Sequence, residues 1–201
     1  PAIRAAHEAV ATGRIGDITC VQGDLFAYRA FNATDRLFAP GLGGGAMLDL
    51  GVYALHFAQD FLGEPIAVDC TGQLAETRVD ASASMQLRYA SGATAQLSIS
   101  LQAHGPGRMT IMGTDGFIEV EPRFHHPTSI VVHRDDDEPE HVTLPFPGRG
   151  YRLELSAVSE AIEAGLTEHP FVPLDDSIAV AGAMTHALEQ LGYRPLDDED
   201  F

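Results

Sequence analysis

A chain of 201 residues, 45% hydrophobic and 20% charged, holds enough apolar material for a core that buries roughly 70% of its unfolded surface. Its formal net charge of −17, from 29 acidic against 12 basic residues, argues against nucleic acid and anionic membranes as partners. No apolar stretch reaches the roughly 18 residues that a membrane-spanning helix needs.

The first predicted element is a helix from about Ile3 to Thr12, stopped by Gly13. A strand over Asp17–Tyr28 follows, then a long loop from Arg29 to Gly45. The glycines Gly43 to Gly45 run straight into an apolar helix that should continue to about Leu62, where Gly63 and Pro65 end it. On a 3.6-residue period Leu48, Val52, Leu55 and Leu62 share one face, and Leu50, Ala54, Phe57 and Phe61 its neighbour. The remaining stripe is polar: Asp49, Tyr53, His56 and Asp60, at i, i+4, i+7 and i+11. It has none of the Lys, Arg or Glu of a solvated helix face, and the glycine run implies close approach by a ligand or another chain segment. The stripe is a candidate site.

From Ile66 to Leu144 the chain reads as strand after strand. Residues 84–89 and 94–101 alternate about an Ala90–Ala93 turn, and Thr114-Asp115-Gly116 joins Met109–Met112 to Phe117–Val120. Ser84, Gln86, Arg88, Gln96, Ser98 and Ser100 should point away from the helices. Helices over about Tyr151–Ala164 and Asp175–Leu191 close the chain, with Asp175 as a candidate N-cap. This order predicts a single α+β domain over residues 1–201: a largely antiparallel open β-sheet with helices packed on one face.

Other features carry less chemistry. The acidic runs 135–138 and 197–200 lack the alternating spacing of a calcium loop and read as solvated segments. Cys20 and Cys70 lie in strand-like runs and are expected as free thiols in a reducing compartment, which makes the cytoplasm the default location. His125, His126 and His133, or Asp49 with His56, are the residues that a metal site would draw on. Adjacent histidines on a strand point apart, however, and no zinc-type spacing occurs, so no metal is expected. No Gly-x-Ser-x-Gly motif supports a serine hydrolase.

The segment from Arg36-Leu37-Phe38-Ala39-Pro40 through Gly43-Gly44-Gly45-Ala46-Met47-Leu48-Asp49-Leu50-Gly51-Val52-Tyr53 resembles the substrate-domain signature of the Gfo/Idh/MocA oxidoreductases. Pro1 to Gly16, Gly113-Thr114-Asp115-Gly116, Gly150-Tyr151-Arg152 and Gln190-Leu191-Gly192-Tyr193 resemble further pieces of that domain in the same order. Tyrosine at position 53, where many relatives have histidine, resembles the dihydrodiol dehydrogenase and glucose–fructose oxidoreductase members. Family members begin with a Rossmann domain that binds NAD or NADP and supplies a lysine. This sequence has no Gly-x-Gly-x-x-Gly after a strand and no lysine at all.

The resemblance therefore implies the carboxy-terminal domain of a longer NAD(P)-dependent dehydrogenase or reductase, inactive alone. Its substrate would be a sugar, polyol, dihydrodiol or related carbonyl or alcohol. The partners implied are its own Rossmann domain and a second subunit paired through the open sheet face. Tyr53 is the implied catalytic proton donor or acceptor and Asp49 its positioning partner, by hydrogen bond to substrate or to the missing lysine. A tyrosine acting as base near neutrality needs about 3–4 kcal/mol of differential phenolate stabilisation, which that lysine would provide. His56, Arg36, Gly44 and Gly45 are the substrate-binding candidates, with His104 weaker. The alternative is a non-catalytic ligand-sensing or oligomerisation module of the same fold.

Overall fold

The computed structural model describes residues 1–193 except 136 and 149, so the 197–200 run and one member of the 135–138 run lie outside the described residues. Helix α1 (Ala2–Ala11) leads into strand β1 (Ile18–Phe26), and a π-helical turn (Met47–Gly51) leads into α2 (Val52–Leu62). Strands β2 (Ala67–Leu74), β3 (Asp80–Arg88), β4 (Thr94–Ser100), β5 (Met109–Gly113), β6 (Gly116–Val120), β7 (Ser129–Arg134) and β8 (Glu140–Thr143) follow. Helices α3 (Tyr151–Glu163) and α4 (Leu174–Gln190) come last.

Among the described residues the strands form one sheet in the order β2-β3-β4-β1-β5-β6-β7-β8. Hairpins make its neighbours antiparallel, and β1 inserts between β4 and β5, running parallel to β4. The fold is thus a mostly antiparallel, mixed open sheet with α1, α2 and α4 packed on it.

Alternation sets the inner face. Ala83, Met85 and Leu87 of β3 and Ala95, Leu97 and Ile99 of β4 are buried, whereas Ser84, Gln86, Arg88 and Gln96 are exposed. Ser100 departs from its expected exposure. It is buried at the strand end, where its Oγ accepts a hydrogen bond from the Gln102 N–H. Helix α1 approaches closely through Ala2, Ala6 and Ala9 on one stripe. The hairpin tip at Thr114 locks onto the α1–β1 turn: the Asp17 N–H donates to Thr114 Oγ1, and a Cβ on Gly16 would collide with that oxygen.

The two closing helices behave differently. Helix α4 buries Val180, Ala183, Ala187 and Leu188, while none of the residues of α3 is buried. Asp175 lies inside the first turn of α4 rather than at its N-cap; Glu168 accepts the Leu174 N–H instead. Cys20 and Cys70 are both unpaired, and burial pushes the Cys70 thiol up to about 11. No helix among the described residues is long and apolar enough to cross a membrane.

Candidate functional site

The glycine run takes its shape from the chain itself. Gly43 and Gly45 have φ of +67° and +120°, a region that favours glycine, and they turn the chain from a 3₁₀ turn (Pro40–Leu42) into the π-helical turn. A Cβ on Gly44 would lie 2.9 Å from the Leu37 carbonyl oxygen, and one on Gly45 would collide with Asp80 Oδ1. Of the two expected occupants, a ligand or a chain segment, the segment makes the close approach, and Gly44 and Gly45 are buried.

The turn at Met47–Gly51 replaces the expected first turn of regular α-helix. Its hydrogen bonds reach one residue further than α-helical ones, which rotates the register. Met47, Leu50 and Gly51 therefore face the core and Leu48 is exposed, contrary to the regular-period expectation. Gly51 permits this because a Cβ there would lie 2.7 Å from Met47 Sδ and 3.1 Å from Ile99 Cδ1. π-Helical turns of this kind often accompany functional sites.

Along the stripe, each polar residue has its own surroundings. Asp49 Oδ1 accepts a 2.7 Å hydrogen bond from Arg36 Nη2, so the structure brings these two candidates together. Tyr53 is 48% exposed, with its ring 5.1 Å from that of His125. His56 is half-buried. Asp60 is bonded at 2.7 Å to His7 of α1, which removes it from the site. The His104 ring lies tilted against Tyr28 at 5.4 Å and lines a groove on the open face of the sheet, apart from Tyr53.

Tyr53 stands at a cavity of about 930 Å³, within the size range of small-molecule sites. Its other walls were not anticipated: Arg123, His125 and His126 from the β6–β7 connection, and Phe146, Tyr151 and Glu154 around the start of α3. Phe124 anchors the connection. It is buried edge-on against Phe57 at 5.5 Å, which carries His125 up to Tyr53. Residues 123–126 form a turn rather than a strand, so the His125 and His126 rings meet edge to face at 4.5 Å instead of pointing apart. Pro122 and Pro127 bracket this segment and were the available signal for a loop. Burial, then the charges of His126 and Arg123, push His125 down to about 4, so its imidazole is neutral at pH 7. Its Nδ1 is buried without a hydrogen-bond partner.

A second groove, of about 1100 Å³, lies across the open sheet face and is lined by Gln22, Asp24, Gln86, Gln96 and Arg108. It is larger, but it lacks a pair like the Tyr53 phenol and a neutral, half-buried imidazole, and chemistry outweighs size here. His133 is far along β7, bonded to Glu119 and stacked on Phe117. Among the described residues no group of three or more His, Cys, Asp or Glu side chains converges.

A dinucleotide pyrophosphate has no seat at the glycine run, the feature here that most resembles a phosphate loop. The Leu37–Ala39 backbone and the Asp80 carboxylate already fill it, and that carboxylate would repel phosphate.

The comparisons with known proteins agree with this fold. The model of the GFO/IDH/MocA C-terminal domain matches residues 3–119. Trans-1,2-dihydrobenzene-1,2-diol dehydrogenase of Xenopus tropicalis is 38% identical over 188 residues, covering 89% of this chain and 56% of that protein. D-xylose 1-dehydrogenase (NADP(+)) 2 of Haloferax volcanii is 33% identical over 186 residues, 90% of this chain and 55% of that protein. The fold matches the crystal structure of aldose-aldose oxidoreductase from Caulobacter crescentus complexed with glycerol, with a TM-score of 0.78 and 24% identity over 92% of this chain and 57% of that one. It also matches KijD10, a 3-ketoreductase from Actinomadura kijaniata in complex with NADP and TDP-benzene, at a TM-score of 0.78 and 23% identity over 94% and 58%. The chain thus spans a little over half the length of the curated relatives it matches. It belongs to the GFO/IDH/MocA family, with the C-terminal domain of that family over residues 3–119.

Proposed function

We propose that this chain is the substrate-binding and proton-transferring domain of an NAD(P)-dependent oxidoreductase acting on a sugar, polyol, dihydrodiol or related carbonyl or alcohol. The relatives are named as dehydrogenases, and a solved neighbour is a ketoreductase in complex with NADP. Carrying the reading is the placement of Tyr53, half-exposed at the mouth of a cavity of about 930 Å³ beside a neutral imidazole. The nicotinamide, held by the dinucleotide-binding part of the full-length protein, would supply or accept the hydride; residues 1–201 alone would not turn over.

In the reducing direction Tyr53 Oη donates its proton to the substrate carbonyl oxygen, and solvent reprotonates the phenolate afterwards. In the oxidising direction it accepts the proton of the alcohol. A bare carboxylate next to a forming phenolate opposes this step, and the Arg36 guanidinium on Asp49 offsets that repulsion. Asp49 therefore acts in positioning, and Arg36 acts on it as well as on substrate. His56, one turn beyond Tyr53 and outside the lining of the cavity, would serve a hydroxyl on a longer substrate. Gly44 and Gly45 serve the substrate site through the turn they shape. His125 orients substrate as an uncharged hydrogen-bonding group, since its charged form is disfavoured there. The open polar sheet face is the proposed contact with a second subunit.

In the full-length enzyme Tyr53→Phe is expected to lower kcat by about two orders of magnitude or more, measured with the nicotinamide cofactor and a carbonyl substrate series. Near-normal turnover would overturn the catalytic reading and leave the ligand-sensing or oligomerisation module in its place.

A further inference from the structure

Asp80 is fully buried at the start of β3, although period-two alternation places it with Ser82 and Ser84 on the polar face. A break in the ladder explains its direction. Gln73 pairs with Ser82 and Leu74 with Asp80, which leaves Ala81 as an extra residue, and the resulting bulge re-aims the side chain toward the helices. There Oδ2 accepts a 2.6 Å hydrogen bond from the Met47 N–H, and the Ala46 N–H also favours its charge. Oδ1 is buried without a hydrogen-bond partner and occupies the space that a Cβ on Gly45 would need.

This arrangement is costly to fold. A carboxylate is taken fully out of water with one oxygen unbonded, and a glycine with φ of +120° is required to receive it. A neutral acceptor would cap the same N–H groups at lower cost. The cost falls at the first turn of the segment that carries Asp49 and Tyr53, two and six residues after Met47.

We propose that Asp80 is a positioning residue for Tyr53, fixing the Met47–Gly51 turn to the sheet so that the phenol is held at the cavity mouth. The inference rests on the catalytic reading of Tyr53. Asp80 does not touch the cavity and acts through the backbone of the turn. A charged acceptor holds an N–H more tightly than a neutral one, and an error on the order of 1 Å in the placement of a catalytic group costs about 100-fold in rate.

The test is a double-mutant cycle in the full-length enzyme with Asp80→Asn, Tyr53→Phe and the pair. Asp80→Asn is expected to lower kcat by about tenfold to 100-fold with KM changed by less than about twofold, because the turn is displaced and the substrate walls are not. In the Tyr53→Phe background the same change should alter kcat by less than about twofold, since the group being positioned is gone. Full additivity of the two losses, or unchanged kcat in Asp80→Asn, would overturn the inference while leaving Tyr53 catalytic. Near-normal turnover of Tyr53→Phe alone would instead remove the reading beneath it. Should Asp80→Asn not fold, Asp80→Ser and Asp80→Ala carry the test. Serine keeps an acceptor oxygen and should retain more kcat than alanine; equal loss in two folded variants would overturn the role.

Discussion

At the scale of single residues, Asp80 and His125 flank the same helix and resist charge for the same reason, yet they tilt stability in opposite directions with pH. Burial raises Asp80 from its ordinary 3.8 to about 6, against the pull of the Met47 and Ala46 N–H groups. Its contribution is therefore fully present below pH 3.8 and is lost as pH rises through about 6. The displacement is worth about 3 kcal/mol. The titratable group that feels it is the Cys70 thiol, which stays neutral throughout this window. Burial lowers His125 from 6.5 to about 4, so its contribution is fully present above 6.5 and is lost as pH falls through about 4. Its partial exposure reduces that to about 2 kcal/mol. Between pH 4 and 6.5 the two oppose each other and partly cancel. Urea unfolding across this range should show the advantage of the native protein over Asp80→Asn shrinking as pH rises, and its advantage over His125→Gln growing. Parallel pH curves for native protein and variants would refute both assignments. Neither residue was legible as a site residue in the sequence. A bulge hid Asp80 behind a regular alternation, and His125 was read onto a strand that is a turn.

Among the elements, the strand alternation, the hairpins and the helix stops at Gly13 and Gly63 were legible, because each follows from local geometry. The π-helical turn was not. It brings Gly51 close to Ile99, a tertiary contact that no local pattern encodes, and it leaves Leu48 exposed against the regular-period expectation. The protection of the free edge of β2 was equally hidden. Gln190, near the end of α4, accepts the Cys70 N–H at 2.8 Å and donates to the Val68 carbonyl at 2.7 Å. One side-chain amide thus reproduces two rungs of a β-ladder and blocks pairing with another chain. Gln190→Ala should cost about 1–3 kcal/mol, from two hydrogen bonds at about 0.5–1.5 kcal/mol each. Thermal unfolding reads the loss, and amide exchange at Cys70 should accelerate while exchange at Met85, inside the sheet, changes only with global stability. Unaltered exchange at Cys70 would show that the amide is ornamental to the edge.

For the whole molecule, the sequence carried the sheet-and-helix class and the likeness over most of the chain, but it gave no sign that α3 is unlike α4. Tyr151, Leu155, Val158 and Ile162 recur at i, i+4, i+7 and i+11, the pattern of a buried face, yet they are 69%, 66%, 50% and 68% exposed. Phe171, Leu174 and Ile178, in and just before α4, are also exposed, at 74%, 60% and 67%. The pattern was correct and its partner is not in the sheet. Since α3 begins at the wall of the Tyr53 cavity, a cover over this stripe would also close that cavity from the side of Tyr151 and Glu154. Under the proposed domain arrangement the dinucleotide-binding part of the full-length protein is that cover. Each apolar side chain it buries is worth about 1.5–3 kcal/mol. Val158→Asp and Ile162→Asp, placed in the full-length enzyme, should then lower the melting temperature and raise KM for the nicotinamide cofactor. Glu160→Gln, on the same helix but off the stripe, should do neither. If the two aspartate variants match Glu160→Gln in both measurements, the stripe is solvent-facing in the complete protein and the cavity is closed by another surface.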